Sequence, residues 1–519
     1  MMRTRRSLSI GPRSIRILVA LVLVGTGIAS AAPAHASDGA APRAVIVEAA
    51  SSDAAARSVE SVGGTVDLSL PIIAAVAAHV SDDGIAALGA NPTLHVTPDA
   101  AMHPTGDSFD ASVLDPQVAA INPGATWSSD AGRGVGIALV DTGVADTPDL
   151  NGSRLVRSPD FSGEGDGIDH YGHGTFMAGL IAGDGTASRG GPTRHLGVAP
   201  GATLVSVKVA EADGSSSLSR VIAGIGWAVT NRDTYDIGVL NLSFGLDAPM
   251  PYRQNPLDAA AEAAWASGIT VVASAGNNGD KGVTSPGDDP YVITVGATDT
   301  RGTATTNDDT IPTWSGRERS QGHAKPDVVA PGVSLVSLRA PGSTIDVQHP
   351  TARVDAAYFR GTGTSMSTAV VSGAAAVLLS HHGNATPDDV KGALVDSAVQ
   401  IGRQAGAIDL AAADNAVARS DWWQHFQVAF DGLDRGLEKG MPWTASRWTD
   451  DTWAASRWTA SRWTASRWTA SRWTTLEWSA SRWTASRWTA SRWTASRWTA
   501  SRWTASRWTS DLWVSQSWG

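Results

Sequence analysis

"GVGIALVDTGV", residues 134–144, decides how the rest of the chain is read. Its apolar run has no polar alternation, ends in Asp141 and is followed at once by a glycine turn. A strand with one wet face would alternate, so this one is expected to be buried on both faces. Four similar runs follow: "ATLVSVKV" (202–209), "IGVLNLSF" (237–244), "GITVVASAG" (268–276) and "YVITVGAT" (291–298). Between them, "SLSRVIAGIGWAVTN" (217–231) and "PLDAAAEAAWAS" (256–267) have helical spacing. Short buried strands alternating with helices predict an α/β fold with a mostly parallel sheet between helices. Such sheets carry their functional groups at the carboxyl ends of strands. "MSTAVVSGAAAVLLSHH" (366–382) is apolar all round and predicts a buried helix.

Residues 42–100 read as a separate small α+β unit. "RAVIVEA" predicts a strand, Ser52–Val62 a helix ended by Gly63 and Gly64, and "VDLSLPIIAAVAAHV" two strands turning at Pro71. "SDDGIAALGAN" opens on an N-cap at Ser81, and "TLHVTPDA" predicts a last strand. From Ala100 to Thr126 the chain reads as a Pro- and Gly-rich loop.

The 519 residues are 42% hydrophobic and 17% charged, a globular composition. The net charge of −10 is uneven. Subtracting the +5 of residues 1–36 and the +7 of 443–519 leaves −22 on 37–442. An acidic body argues against a nucleic-acid enzyme, which concentrates positive charge at its site. Residues 1–36 read as a secretory signal: Arg3, Arg5, Arg6, Arg13 and Arg16 precede the apolar run Ile17–Val24, and "APAHA" offers a cut after Ala36. That run is far short of the ~20 residues of a membrane span. Export to an extracellular or cell-surface location is therefore expected. The chain has no Cys, so disulfides contribute nothing to stability there.

Three motifs fall where a sheet enzyme would place chemistry. "LVDTGV" ends a strand at Asp141, "HYGHGTFMAG" sets His173 at a glycine-rich turn before a helix, and "RGTGTSMSTA" sets Ser365 at the start of the buried helix. In the order Asp, His, Ser, with "SAGNNG" (274–279) between the last two, they resemble the subtilisin family of serine proteases (peptidase S8). The resemblance covers about 134–416. It extends backwards, because residues 42–100 resemble the propeptide that folds and inhibits that family, with "HVTPDA" as its closing strand.

The resemblance implies a serine endopeptidase that needs no cofactor for its chemistry. Ser365 is expected to attack a peptide carbonyl. His173 takes its proton and returns it to the leaving amine, and Asp141 fixes the imidazole. Asn277 and the Ser365 backbone N–H are expected to stabilise the oxyanion. An extended substrate would lie between Gly214, Ser215 and Ser216 on one side and Ser243, Phe244 and Gly245 on the other. Ala275 and Gly276 would line the P1 pocket, favouring an apolar or broad preference. Asp149 resembles a ligand for a structural calcium. Protein or peptide substrates and the chain's own propeptide, as inhibitor, are the implied partners, with self-cleavage near Ala101–Asp110. Two positions depart from the family pattern. Phe176 follows "HGT" where many members have His, read as a packing change. Ala369 stands where the family usually has Pro, which opens a second reading in which peptide ligation competes with hydrolysis.

From Trp443 to Trp518 a Trp recurs at every fifth position, sixteen of the 22 in the chain. Five residues advance a helix about 500°, and odd spacing in a strand alternates faces, so neither puts the Trp on one side. The repeat either turns a corner every five residues, as a solenoid, or has no fixed fold. A flexible Arg–Trp tail would suit a cell wall, a membrane surface or a glycan. A spacer with no partner is the remaining alternative, and a surface-binding protein on a protease scaffold is the alternative for the whole chain. The expected segments are a signal peptide at 1–36, a propeptide at 37–103, a peptidase at 104–416, a linker at 417–442 and the repeat at 443–519.

Overall fold

The computed structural model describes residues 41–417 apart from 106–117, 125–126, 129, 192, 247–253, 321–322 and 402–404. The expected signal segment, all but the first residue of the linker, and the Trp/Arg repeat lie outside the described residues.

The small unit comprises β1 Arg43–Glu48, α1 Ser52–Ser61, β2 Thr65–Leu70, β3 Ala75–Val80, α2 Asp82–Gly89 and β4 His95–Pro98. The strands form an antiparallel sheet in the order β2-β3-β1-β4. Ser81 caps α2 as its position predicts, accepting from the Gly84 N–H at 3.2 Å. Pro71 opens the short turn between β2 and β3. Strand alternation gives the sheet two apolar faces. Val45, Val47, Val76, Ala78 and Val80 pack with Ala55, Val59 and Leu88 into a core of the unit's own. Ile46, Ala75 and Ala77, with Leu70, Ile72 and Ile73 at the turn, belong instead to the main core.

A strand the sequence did not suggest comes next. β5, Ala101–Pro104, lies in the stretch expected to be loop. Its pairing partners are more than a hundred residues away, so no local pattern announces it.

The main unit continues with β6 Gly136–Asp141, β7 Leu155–Arg157, α3 His173–Ala182, β8 Thr203–Lys208, β9 Ser216–Ser217 and α4 Leu218–Thr230. Then come β10 Ile237–Leu242, β11 Phe244–Leu246, α5 Pro256–Ala266, β12 Thr270–Ser274 and β13 Ile293–Thr298. β14 Glu318–Ser320 and β15 His323–Lys325 form a hairpin before β16 Val328–Pro331 and β17 Leu335–Leu338. The last elements are α6 Thr344–Gln348, β18 Tyr358–Gly361, α7 Thr364–His381, α8 Pro387–Asp396, β19 Val399–Gln400, β20 Gly406–Ala407 and α9 Leu410–Ala416.

Among the described residues, nine strands make the central sheet, in the order β19-β20-β16-β13-β12-β10-β6-β8-β7. Every neighbouring pair is parallel except β19 with β20. All five apolar runs of the sequence supply strands of it, and both helical stretches between them are helices. α7 is buried from Thr364 to Leu378, as its composition requires. Its hydroxyls are paired internally: Ser372 Oγ donates to Asn241 Oδ1 at 2.9 Å and Ser367 Oγ to the Ala330 carbonyl at 3.0 Å.

The small unit sits on α4 and α5. Asp99 closes the contact, accepting from the Ser219 N–H at 2.9 Å and the Ser219 hydroxyl at 2.6 Å in the first turn of α4. A carboxylate there complements the positive end of the helix.

Candidate active site

The carboxyl end of β6 delivers Asp141, and the start of α3 delivers His173. The two meet because "DTG" and "HGT" approach at backbone distance. A Cβ on Gly174 would lie 2.1 Å from the Gly143 carbonyl oxygen, so only glycine allows this approach. His173 Nδ1 lies 2.7 Å from Asp141 Oδ1, and both side chains are buried. A carboxylate only accepts, so Nδ1 carries the proton and Nε2 is left as the basic nitrogen. The Thr142 N–H donates to the same Asp141 oxygen at 2.8 Å.

Two residues that sequence reasoning missed hold this corner together. Asp169 is buried and accepts from Thr142 Oγ1 (2.8 Å), Gly172 N (2.7 Å), Tyr171 N (3.1 Å), Thr175 N (2.8 Å) and Thr175 Oγ1 (2.6 Å). Burial raises its carboxyl above the usual carboxylate range, and the hydrogen bonds oppose that shift. Lys208, at the end of β8, donates to the Thr142 carbonyl at 3.0 Å and the Ile168 carbonyl at 2.6 Å, and pairs with Glu164 at 2.9 Å. An Asp in "GDGIDHYG" and a Lys closing a strand have no motif of their own. Only the loop-to-strand packing gives them a role.

Ser365 lies in the first turn of α7, fully buried. N–H groups in that turn have no acceptor within the helix, and the helix dipole makes the position favourable to an anion. Asn277 lies after β12. Its Oδ1 accepts from the Thr364 N–H and the Thr364 hydroxyl, each at 3.0 Å, which fixes the amide so that Nδ2 points away from Thr364. Nδ2 donates to the Thr105 carbonyl oxygen at 3.1 Å. Thr105 Oγ1 is 2.5 Å from Ser365 Oγ.

Thr105 ends a segment of the chain laid through the cleft. β5 runs antiparallel between β11 and β9, with Pro104 opposite Phe244, His103 opposite Gly245, and Met102 opposite Leu246 and Ser216. The Thr105 N–H donates to the Ser243 carbonyl at 3.1 Å. Ser243, Phe244, Gly245 and Ser216 therefore flank this extended segment of the chain. Gly214 and Ser215 do not pair with it, a correction to the predicted edge. They form a turn in which the Glu211 N–H donates to the Ser215 carbonyl at 2.9 Å, and Gly214 adopts φ +84° against the Tyr171 ring. The edge begins at Ser216 and extends to Ser217. Ala275 is buried and Gly276 adopts φ +85° beside the cleft.

The calcium expectation at Asp149 is also corrected. Asp149 Oδ2 accepts from the Gly185 N–H at 3.0 Å and the Tyr358 hydroxyl at 2.8 Å, and Oδ1 from the Ala187 N–H at 2.6 Å. A cation there would face hydrogen-bond donors, so the site does not fit one. Asp149 anchors the 183–191 loop instead. Among the described residues, no group of three or more His, Asp or Glu is arranged to hold a metal ion. Phe176 is buried in α3, in keeping with a packing role, and Ala369 is buried in α7.

The model of the subtilase family matches residues 132–422. Serine protease AprX of Bacillus subtilis (strain 168) is 40% identical over 269 residues, 50% of this chain and 60% of AprX. Subtilisin E of the same organism is 31% identical over 352 residues, 66% of this chain and 79% of that protein. The crystal structure of fervidolysin from Fervidobacterium pennivorans, a keratinolytic enzyme related to subtilisin, superposes with a TM-score of 0.57. It is 25% identical, and the match covers 74% of this chain and 62% of that one. The matched domain is of the serine-endopeptidase class. The chain spans about 60% of the length of AprX and of fervidolysin.

Proposed function

Because the chain belongs to the subtilase family, we propose that it is a secreted serine endopeptidase made as a self-cleaving zymogen. Ser365 Oγ attacks the carbonyl carbon of the scissile peptide as its proton passes to His173 Nε2. The carbonyl oxygen, now negative, is met by Asn277 Nδ2 and the Ser365 N–H. His173, held by Asp141, gives the proton to the leaving amine, and the C–N bond breaks to leave an acyl ester on Ser365. Water, deprotonated by the same imidazole, then hydrolyses the ester.

One observation carries this reading: the Asn277 Nδ2 donor lies 3.1 Å from a backbone carbonyl whose residue also touches Ser365 Oγ. That carbonyl belongs to Thr105, so the bond after Thr105 is the one to be cut first. Residues up to Thr105 are then the propeptide, and their last strand fills the cleft as an inhibitor. This moves the expected boundary from 103 to 105. N-terminal sequencing of the secreted protein tests it. A mature chain starting at Gly106, and an uncut Ser365→Ala chain, are expected. A cut Ser365→Ala chain overturns the self-cleavage. Labelling of Ser365 by a serine-directed phosphonate separates an enzyme from a surface-binding protein on a protease scaffold.

The Trp/Arg repeat, net +7 over 443–519, is proposed to hold the enzyme to an anionic cell wall, membrane surface or glycan. Deleting it should release the enzyme from cells into the medium. Unchanged retention removes this role.

A further inference from the structure

The segment in the cleft meets the nucleophile with a side chain as well as with a carbonyl. Thr105 Oγ1 lies 2.5 Å from Ser365 Oγ, and both residues are buried. The backbone that carries this hydroxyl is pinned at both ends. The Thr105 N–H donates to the Ser243 carbonyl and the Thr105 carbonyl accepts from Asn277 Nδ2, each at 3.1 Å. The Thr105 methyl packs over Gly245, where an added Cβ would lie 3.3 Å from Thr105 Cγ2. A β-branched side chain has few staggered wells, and the one taken here sets the hydroxyl on Ser365. Either direction of this bond slows attack. If Ser365 donates, its proton is turned from the imidazole that must take it. If Thr105 donates, it ties up a lone pair of the oxygen that must reach the carbonyl carbon. The bond therefore belongs to the waiting complex and breaks before Ser365 joins the carbonyl. An interaction made with bound substrate and lost in the transition state lowers kcat and KM together and leaves kcat/KM unchanged.

We propose that the Thr105 hydroxyl is a brake on self-cleavage, and that chains with a β-hydroxyl residue (Thr or Ser) at P1 are held tightly and cut slowly. In the uncut chain Thr105 is always in place, so tighter holding brings no gain and only the slower turnover is felt. Maturation is delayed. After the cut the same hydroxyl strengthens the grip of the freed strand, so one bond both postpones activity and prolongs inhibition. The proposal rests on the protease reading above, with the first cut after Thr105.

The test has two arms. The first uses the full chain and follows the appearance of the mature enzyme. Thr105→Ala removes the hydroxyl without setting a methyl against Ser365, and it should mature about fivefold faster than wild type, the worth of one hydrogen bond. Thr105→Ser keeps the hydroxyl and should stay within about twofold of wild type. The second arm uses the mature wild-type enzyme, so it does not depend on how a variant folds. The substrates are the p-nitroanilides Ala-Met-His-Pro-X, which repeat residues 101–104 before a variable X. With X = Thr or Ser, kcat and KM should each be about fivefold lower than with X = Ala, and kcat/KM should agree within about threefold. Equal kcat for Ser and Ala overturns the proposal, and so does a Thr105→Ala chain that matures no faster. If only Thr is slow and Ser matches Ala, the methyl is responsible and the proposal fails. Phosphonate labelling and the mature N-terminus tell the failures apart. A labelled enzyme that starts at Gly106 but shows level rates sinks only the brake. An unlabelled protein, or a different N-terminus, sinks the reading of the cut and this proposal with it.

Discussion

Thr364 holds Asn277 by two bonds, its N–H and its hydroxyl each 3.0 Å from Asn277 Oδ1. The residue just before Ser365 thus aims the amide whose other end meets the Thr105 carbonyl. Thr364→Val keeps the shape and the N–H bond but loses the hydroxyl bond. One neutral hydrogen bond is worth about 1 kcal/mol, so kcat should fall about fivefold with KM little changed. Thr364→Ser should restore it. A change in KM alone would mean that Thr364 acts on substrate binding and does not aim the amide.

Asp169 gathers five donors from the loops that carry Asp141 and His173. In Asp169→Asn, an NH₂ group would face donors. The variant should lose about 3 kcal/mol of stability in a thermal or denaturant scan, because buried donors are left unmet. Activity measured well below the transition should fall too, since the bond from Gly174 N to Thr142 Oγ1 depends on the same corner.

Glu48 gives the small unit a pH dependence. It lies on the strand face that Ile46 turns to the main core. It is fully buried, and among the described residues neither carboxylate oxygen has a hydrogen-bond partner. Burial pushes its carboxyl from 4.5 to about 8. The folded value is raised above the unfolded one, so the contribution to stability is complete below about pH 4.5 and is lost as pH rises through about 8. Each pH unit in that window removes up to about 1.4 kcal/mol. In the uncut Ser365→Ala chain, protease sensitivity of residues 43–98 should rise across this range. Glu48→Gln should flatten the rise. An equally steep profile in Glu48→Gln would assign the effect to another group.

The ligation reading is tested at Ala369. Proline inside α7 removes one helical hydrogen bond and crowds the carbonyl four residues earlier, that of Ser365. Ala369→Pro should lower the ratio of ligation to hydrolysis when an amine acceptor competes with water. An unchanged ratio leaves hydrolysis as the only activity assigned.

The sequence made most of this fold legible because most of it is local. The strand runs at 134–144 and 237–244, the Ser81 cap and the Pro71 turn follow from spacing and turn chemistry within a few residues. Asp141, His173, Ser365 and Asn277 each stand beside glycines in the sequence, and the structure sets the first two 2.7 Å apart. β5 was not readable, since its partners Ser216, Ser217 and Phe244–Leu246 are distant in the chain. Thr105 lies outside every motif and gains its place only when Ser243, Asn277 and Ser365 are folded around it. Asp149 misled because an acid after a turn is the same letter whether it binds a cation or three hydrogen-bond donors.

The strand through the cleft is antiparallel to both its neighbours, so the cleft has a direction. A chain that takes its place must run the same way and lie straight from the position of Ala101 to that of Thr105. Five extended residues span roughly 17 Å. Helices and tight turns cannot offer that length without melting first. The rate at which a folded protein is digested would then follow how often one of its segments opens and straightens, and a compact target would survive whatever its composition.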